Sequence, residues 1–272
     1  MGLELELEGW DNTRDNSVLN KHWNILGDSS LRNSGVEFVL KTPKYGYPLE
    51  QAIDNMSQYL DSQSFSVSHR CSVHCHIDFR DAEIDKIERF FLLYMLLEPA
   101  LYTVSSKDRY SNIYCPGLTH TTYALQQAAI HIAAGNIDNL VRSWNKYSGI
   151  NFCSLATFGS IEIRTHAGTT SGEDIRNWAR ILNEVYHAAC VLSKKEINNL
   201  ATPEEVVYSV FRDKDLQELM LCENLFIYWN SSCLNRSYFN LIPQLSSHQK
   251  DEGDVLSTVS TERVRQIIAG EG

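Results

Sequence analysis

The sequence predicts an α+β fold in which helices cover one face of an antiparallel sheet. Three observations predict it. Short segments alternate apolar and polar residues with the two-residue period of a strand: LELELEG at 3–9, GVEFVLKTP at 35–43 and CSVHCHIDF at 71–79. Longer runs with helical periodicity and helix-opening residues lie between and after them. The stretch INFCSLATFGSIEIRTHAG at 150–168 reads as two alternating runs joined by a short turn around Phe158-Gly159. That is a hairpin, and it points to antiparallel pairing.

The elements follow in order. After the first strand comes a polar loop, GWDNTRDNSV, then HWNILGDSSL and the second strand. Pro48 opens a helix over PLEQAIDNMSQYLDSQ. The third strand leads into a long apolar helix from about 82 to 103. Its segment FFLLYMLLEPALY is too short to span a bilayer and contains Glu98 and Pro99, so a buried helix is expected. Residues 104–118 are polar and turn-rich and end in YCPG. TTYALQQAAIHIAAG reads as a helix stopped by Gly135. Ser171 and Asp174 form a capping box for a helix to about 193, and Thr202, Pro203 and Glu205 open another. From about 245 the tail is polar, with a final short helix expected.

Composition narrows the class. The chain has 272 residues, 43% apolar and 21% charged, as in a water-soluble globular protein with a sizeable core. Its formal charge of −10 argues against broad, unspecific nucleic-acid binding. No basic segment followed by an apolar run opens it, so no secretory leader is expected. Seven cysteines without a repeated spacing suggest reduced thiols in a cytoplasm.

The strands share a two-faced pattern. In the third, Cys71, Val73, Cys75, Ile77 and Phe79 share one face, and Ser72, His74, His76 and Asp78 the other. Cysteines and histidines on opposite faces cannot converge on one tetrahedral zinc ion, so the cysteines read as small core residues. Alternation likewise sends Ile161 and Ile163 one way and Ser160, Glu162, Arg164 and His166 the other. Glu4, Glu6, Glu8, Glu37, Glu162, His74, His76 and Arg164 can therefore occupy one face of one sheet. A merely wet face would mix signs, because opposed like charges destabilise a sheet. Five carboxylates with imidazoles suit hard divalent cations such as Mg²⁺ or Mn²⁺.

At this point the chain resembles a known family. GLELELE, WNILGDSSL with GVEFVLKTP, VHCHIDF, SNIYCPG and KYSGINFCSLATFGSIEIRTHAGT occur in the order found in the amidoligases of phages and bacteria, relatives of glutamine synthetase and glutamate–cysteine ligase. The matching motifs run from residue 1 to about 190. The resemblance implies a catalytic domain over 1–194 and leaves 195–272 as a helical extension packed on it. It implies a glutamine-synthetase-like curved antiparallel sheet with helices on its outer face. It also implies an ATP-dependent carboxylate–amine ligase working through an acyl phosphate, with ATP and Mg²⁺ or Mn²⁺ as cofactors.

On that resemblance the metal ligands are Glu4, Glu6, Glu37 and Glu162, with His76 or His74 as imidazole partner. Arg164 faces the transferring phosphoryl group, Arg109 is a second catalytic candidate, and His74, Arg164 and Lys146 contact the nucleotide. Tyr114 and Cys115 are pocket candidates, and the role of Glu8 is open. Asp28 reads as a turn residue. The alternatives are a metal-dependent phosphotransferase on the same sheet and a non-catalytic binding relative. Expected partners are small-molecule or peptide acids and amines, with a macromolecular substrate and a homo-oligomer both open. The segment LFIYWNSSCLNRSYFNL would serve as interface or as core. The expected compartment is the cytoplasm, including that of a phage-infected bacterium.

Overall fold

The computed structural model describes residues 1–106, 109–110, 112–120 and 122–248. Six strands form one sheet: β1 (Gly2–Leu7), β2 (Trp23–Leu26), β3 (Val36–Leu40), β4 (Ser72–Asp78), β5 (Ile150–Asn151) and β6 (Ser160–Ala167). Their order is β2-β3-β1-β4-β6-β5, and every neighbouring pair is antiparallel. The helices are α1 (Tyr47–Asp61), α2 (Ile84–Ser105), α3 (Thr122–Ala133), α4 (Ile137–Ser143), α5 (Ser154–Phe158), α6 (Gly172–Val191), α7 (Lys194–Asn199), α8 (Pro203–Val210), α9 (Lys214–Met220) and α10 (Glu223–His248). The final helix expected in the tail lies outside the described residues.

One face of the sheet supplies half of the core. Leu3, Leu5 and Leu7 of β1, Val36, Phe38 and Leu40 of β3, and Val73, Cys75 and Ile77 of β4 all point into it. Facing them are Ala52, Ile53 and Met56 of α1 and Trp178, Leu182 and Val185 of α6. Helix α2 lies deeper still and is buried on every side from Phe90 to Tyr102. That explains its lack of amphipathic patterning: β6 and α6 contact it on the sheet side, and α10 lies along it. No described helix is long and apolar enough to cross a membrane.

Two local expectations change. The segment before β6 is not the first arm of a tight hairpin: β5 has only two residues, and Ser154–Phe158 coil into α5. Gly159, in the left-handed conformation at φ +63°, ends that helix and launches β6, so the turn falls where expected but closes a helix. At α6, Ser171 accepts from the Asp174 amide, but the Asp174 carboxylate turns to the Thr169 hydroxyl and leaves the box half made. The complete capping box lies at α7, between Ser193 and Glu196.

Aromatic packing ties α10 to the sheet layer. Phe91 of α2 meets Trp144, Phe152 and Phe239 edge-on, at centroid distances of 6.1, 5.3 and 5.4 Å. Three segments therefore converge on one ring of α2. Truncating it, Phe91→Ala, should cost about 3–5 kcal/mol, read as a lowered urea midpoint with an unchanged m value.

Candidate active site

Strand register sets the opposite face of the sheet out as a grid. Glu6 stands across from Glu37; Glu4 lies between Val39 and His74; His76 stands across from Glu162, and Glu162 from Asn151. Pairs so placed lie within side-chain reach. The segments supplying them are up to 160 residues apart, from Gly2 to Glu162, and only the completed sheet brings them together.

Glu4 sits between two imidazoles. Its carboxylate oxygens are 3.2 Å from His74 Nδ1 and 3.1 Å from His76 Nε2. His74 Nδ1 is also 3.4 Å from Glu162. Serines tie down the remaining ring nitrogens: Ser160 Oγ is 3.0 Å from His76 Nδ1 and Ser72 Oγ is 2.7 Å from His74 Nε2. The Ser72 hydroxyl donates to Glu6 in turn. Glu162 accepts from the Asn151 amide at 2.7 Å, from Ser154 at 3.1 Å and from Arg164 Nη1 at 2.5 Å.

Buried acids normally resist ionisation, and here their partners decide which of them do. Burial opposes the charged form of Glu4, but its bonds to His74 and His76 prevail and hold its carboxyl well below the usual range. Burial also opposes the charge on Glu162, and His74 and Arg164 outweigh it in the same way. Burial works against a charged His76, yet Glu4 holds its imidazole above the ordinary value. Glu37 behaves oppositely: burial, together with the charges of Glu4, Glu6 and Asp28, pushes it up to about 7.

Two sets of groups have the spacing of a metal site. Glu4, Glu37 and His74 offer ligand atoms within 4.8 Å of one another, as do Glu4, His76 and Glu162. Carboxylate oxygens with an imidazole fit Mg²⁺ or Mn²⁺. No cysteine joins either set among the described residues; Cys71 and Cys75 are fully buried, Cys75 within the helix-side core and Cys71 against Ser68.

The other candidates are placed as follows. Glu6 is 7% exposed beside the grid and belongs to neither set. Glu8 is a structural anchor: its carboxylate accepts from the Arg32 amide, the Asn33 side chain and Ser68. Asp28 accepts from the Ser30 amide within its own turn. Arg164 adjoins the grid through Glu162, whereas Arg109 is buried against main-chain carbonyls of His69, Cys71 and Arg164. Lys146 is exposed, its ammonium 4.9 Å from the centre of the Tyr147 ring. The Tyr114 ring lies beside the Arg70 guanidinium. Cys115 is fully buried, and burial raises its thiol above the ordinary value, which keeps it a poor nucleophile.

His166 is not on the polar face. Val73 pairs with His166 but Cys75 with Ile163, so β6 carries one extra residue there. This bulge resets the alternation and turns His166 to the helix side, 5.0 Å from the Trp178 ring. Asn151 and Ser154 escaped the sequence reading, because a tight hairpin turning at Phe158-Gly159 would not set Asn151 across from Glu162; α5, coiled between the two arms, does. Ser72 and Ser160 were legible as polar-face residues by alternation alone.

At the Glu4–His76 end of the grid opens a cleft of about 290 Å³. Its walls include Val39, Pro43, Phe158, Lys41 and Arg80, with Glu4 and His76 forming the boundary shared with the grid. Phe158 is 63% exposed, and its ring meets His76 edge-on at 5.8 Å.

Comparison with known families finds a match over residues 3–186 to the family described as "Putative amidoligase enzyme". No curated protein and no solved structure matches the chain.

Glu37 gives the grid a pH signature. An acid whose folded pKa lies above its ordinary 4.5 contributes most below that value and loses its contribution as pH rises through about 7. In EDTA, Glu37→Gln should therefore raise the melting temperature by several degrees at pH 8 and leave it nearly unchanged at pH 4.5, as read by thermal denaturation at both values.

Proposed function

The chain belongs to the amidoligase enzyme family, and we propose that it is an ATP-dependent ligase joining a carboxylate to an amine through an acyl phosphate. What supports this most is the convergence of Glu4, Glu37, His74, His76 and Glu162 into two ligand sets that share Glu4. A curved, glutamine-synthetase-like sheet belongs to the same proposal.

A carboxylate is a poor electrophile in water and must be activated before an amine can attack it. In the proposed reaction a carboxylate oxygen of the acid takes the γ-phosphoryl group of ATP as the bond to ADP breaks. The amine nitrogen then attacks the acyl carbon and gives up a proton, and phosphate leaves with the electrons of the carbon–oxygen bond. Mg²⁺ or Mn²⁺, held by Glu4, Glu37, Glu162, His74 and His76 with Glu6 alongside, would neutralise triphosphate charge and that of the moving phosphoryl group.

The chain's own residues do the rest. Arg164 directs a guanidinium at the phosphoryl group and stabilises charge as it shifts. Asn151 and Ser154 hold Glu162 so that its second oxygen stays turned toward His74 and Arg164. The cleft beside Phe158 takes the nucleotide base: an exposed aromatic ring with Val39 and Pro43 offers a flat, largely apolar seat, and Glu4 and His76 lie where it meets the grid. Substrates of this class are small-molecule or peptide acids and amines.

Glu6→Gln and Arg164→Ala should each lower Mg²⁺-dependent ATP turnover at least about 100-fold while melting within a few degrees of the parent. Survival of ATP consumption in both variants sinks the assignment. Mass spectrometry of products from ATP with pooled acids and amines separates the two chemistries this grid can run. An amide with ADP and phosphate marks a ligase; a phosphorylated acceptor without an amide marks a phosphotransferase.

A further inference from the structure

The bulge in β6 falls at the residue the proposed chemistry most needs aimed. Across from His74, β6 supplies two residues, Arg164 and Thr165, where β4 supplies one. A bulge redirects a side chain and disrupts the local ladder. The main chain of Arg164 is held from outside that ladder on both sides of its Cα. Its amide donates to the Gly149 carbonyl at 2.8 Å, and its carbonyl accepts from Arg109 Nη2 at 3.0 Å. Arg109 Nη1 reaches the carbonyls of Cys71 and His69 at 3.5 and 3.4 Å, spanning the start of β4 and the bulge together.

Arg109 itself is 3% exposed, and the acceptors of these bonds are main-chain oxygens. This is how a guanidinium braces backbone; a substrate-binding arginine keeps its fork free. The Gly149 side of the brace is equally fixed. The Gly149 amide donates to Pro116, the Leu118 amide lies 3.0 Å from both oxygens of the buried Glu98, and the Tyr102 hydroxyl donates to Cys115. A β-carbon at position 149 would run into the Tyr102 hydroxyl of α2 and lie 2.8 Å from Thr165 Cγ2 of β6, so the loop touches both the helix and the strand without a spacer. The side chain of Arg164 is held far less: Nη1 meets Glu162, and Nε is buried without a partner. Its aim is inherited from the backbone.

We propose that Arg109 is a positioning residue, which clamps the β6 bulge and thereby aims the Arg164 guanidinium without touching the reacting groups. The kinetic half of its test rests on the ligase function proposed above; the structural half does not.

The experiment compares Arg109→Met, Arg109→Lys, Arg164→Met and the double variant Arg109→Met/Arg164→Met in the full chain. Hydrogen exchange at the Arg164 amide and steady-state ATP turnover are both measured. In Arg109→Met the Arg164 amide should exchange at least about tenfold faster than in the parent, with amides of β1 unchanged. Turnover should fall about 100-fold in kcat, the cost of a misaimed group, with KM for ATP little changed. In the double variant turnover should stay within about twofold of Arg164→Met alone, because Arg109 acts only through Arg164. Arg109→Lys, which keeps the stem and one cationic donor, should recover part of both losses, and it carries the same test if the methionine variant does not fold. Multiplying losses in the double variant would mean that Arg109 meets substrate directly, and that overturns the proposal, as does unchanged exchange at Arg164. If the parent consumes no ATP with any acid and amine, the ligase function fails while the exchange measurement still decides the clamp.

Discussion

Everything at this site depends on keeping several carboxylates ionised on a largely buried sheet face. Each placed alone would take up a proton or destabilise the fold. The sheet meets that constraint by interleaving: Glu4 is set between His74 and His76, and Glu162 between His74 and Arg164. Glu8 is satisfied by neutral donors instead and serves the loops. Glu37 faces mainly other acids. The grid is thus balanced at its centre and over-negative at its β3 edge, the arrangement expected of a surface built to receive added positive charge.

The helix layer makes that grid rigid. α2, wholly buried over its middle turns, carries the buried carboxylate of Glu98 as well as Tyr102. Through the amide of Leu118 and the carbonyl of Cys115 they fix the loop that carries Pro116, and Gly149 links that loop to β6. Glu98, which in the sequence only argues against a membrane span, is the fastening between the core and the strand bearing Arg164. Burial raises Glu98 to about 7, as befits a carboxyl enclosed by aromatic and aliphatic neighbours.

Much of this was legible in the sequence, and the reason is geometric. Two-residue alternation needs no tertiary information, so LELELEG, GVEFVLKTP and CSVHCHIDF gave their faces directly, as did the exclusion of Cys71 and Cys75 from a metal site. Helix openings at Pro48, Ser171 and Thr202 were equally local. What could not be read were departures from local rules. The extra residue in β6 leaves no mark in SIEIRTHA, yet it moves His166 to the opposite face. The α5 turn hides inside a run that alternates like a strand. Arg109 read as a second catalytic candidate rather than a backbone brace, because its carbonyl partners at His69, Cys71 and Arg164 are about 40 and 55 residues away along the chain.

The strand order has a kinetic consequence. β1 is central, yet its neighbours are β3 and β4, and β4 must then wait for β6, some 85 residues further on. Pairings between such distant segments close late, since the entropy of loop closure must be met before any contact rewards it. Neither ligand set is complete until β6 has docked for the one and β3 and β4 have flanked β1 for the other. During synthesis the acids of β1 therefore emerge long before the groups that will quiet them, and a folding chain holds its charges exposed to water until almost the whole sheet is made.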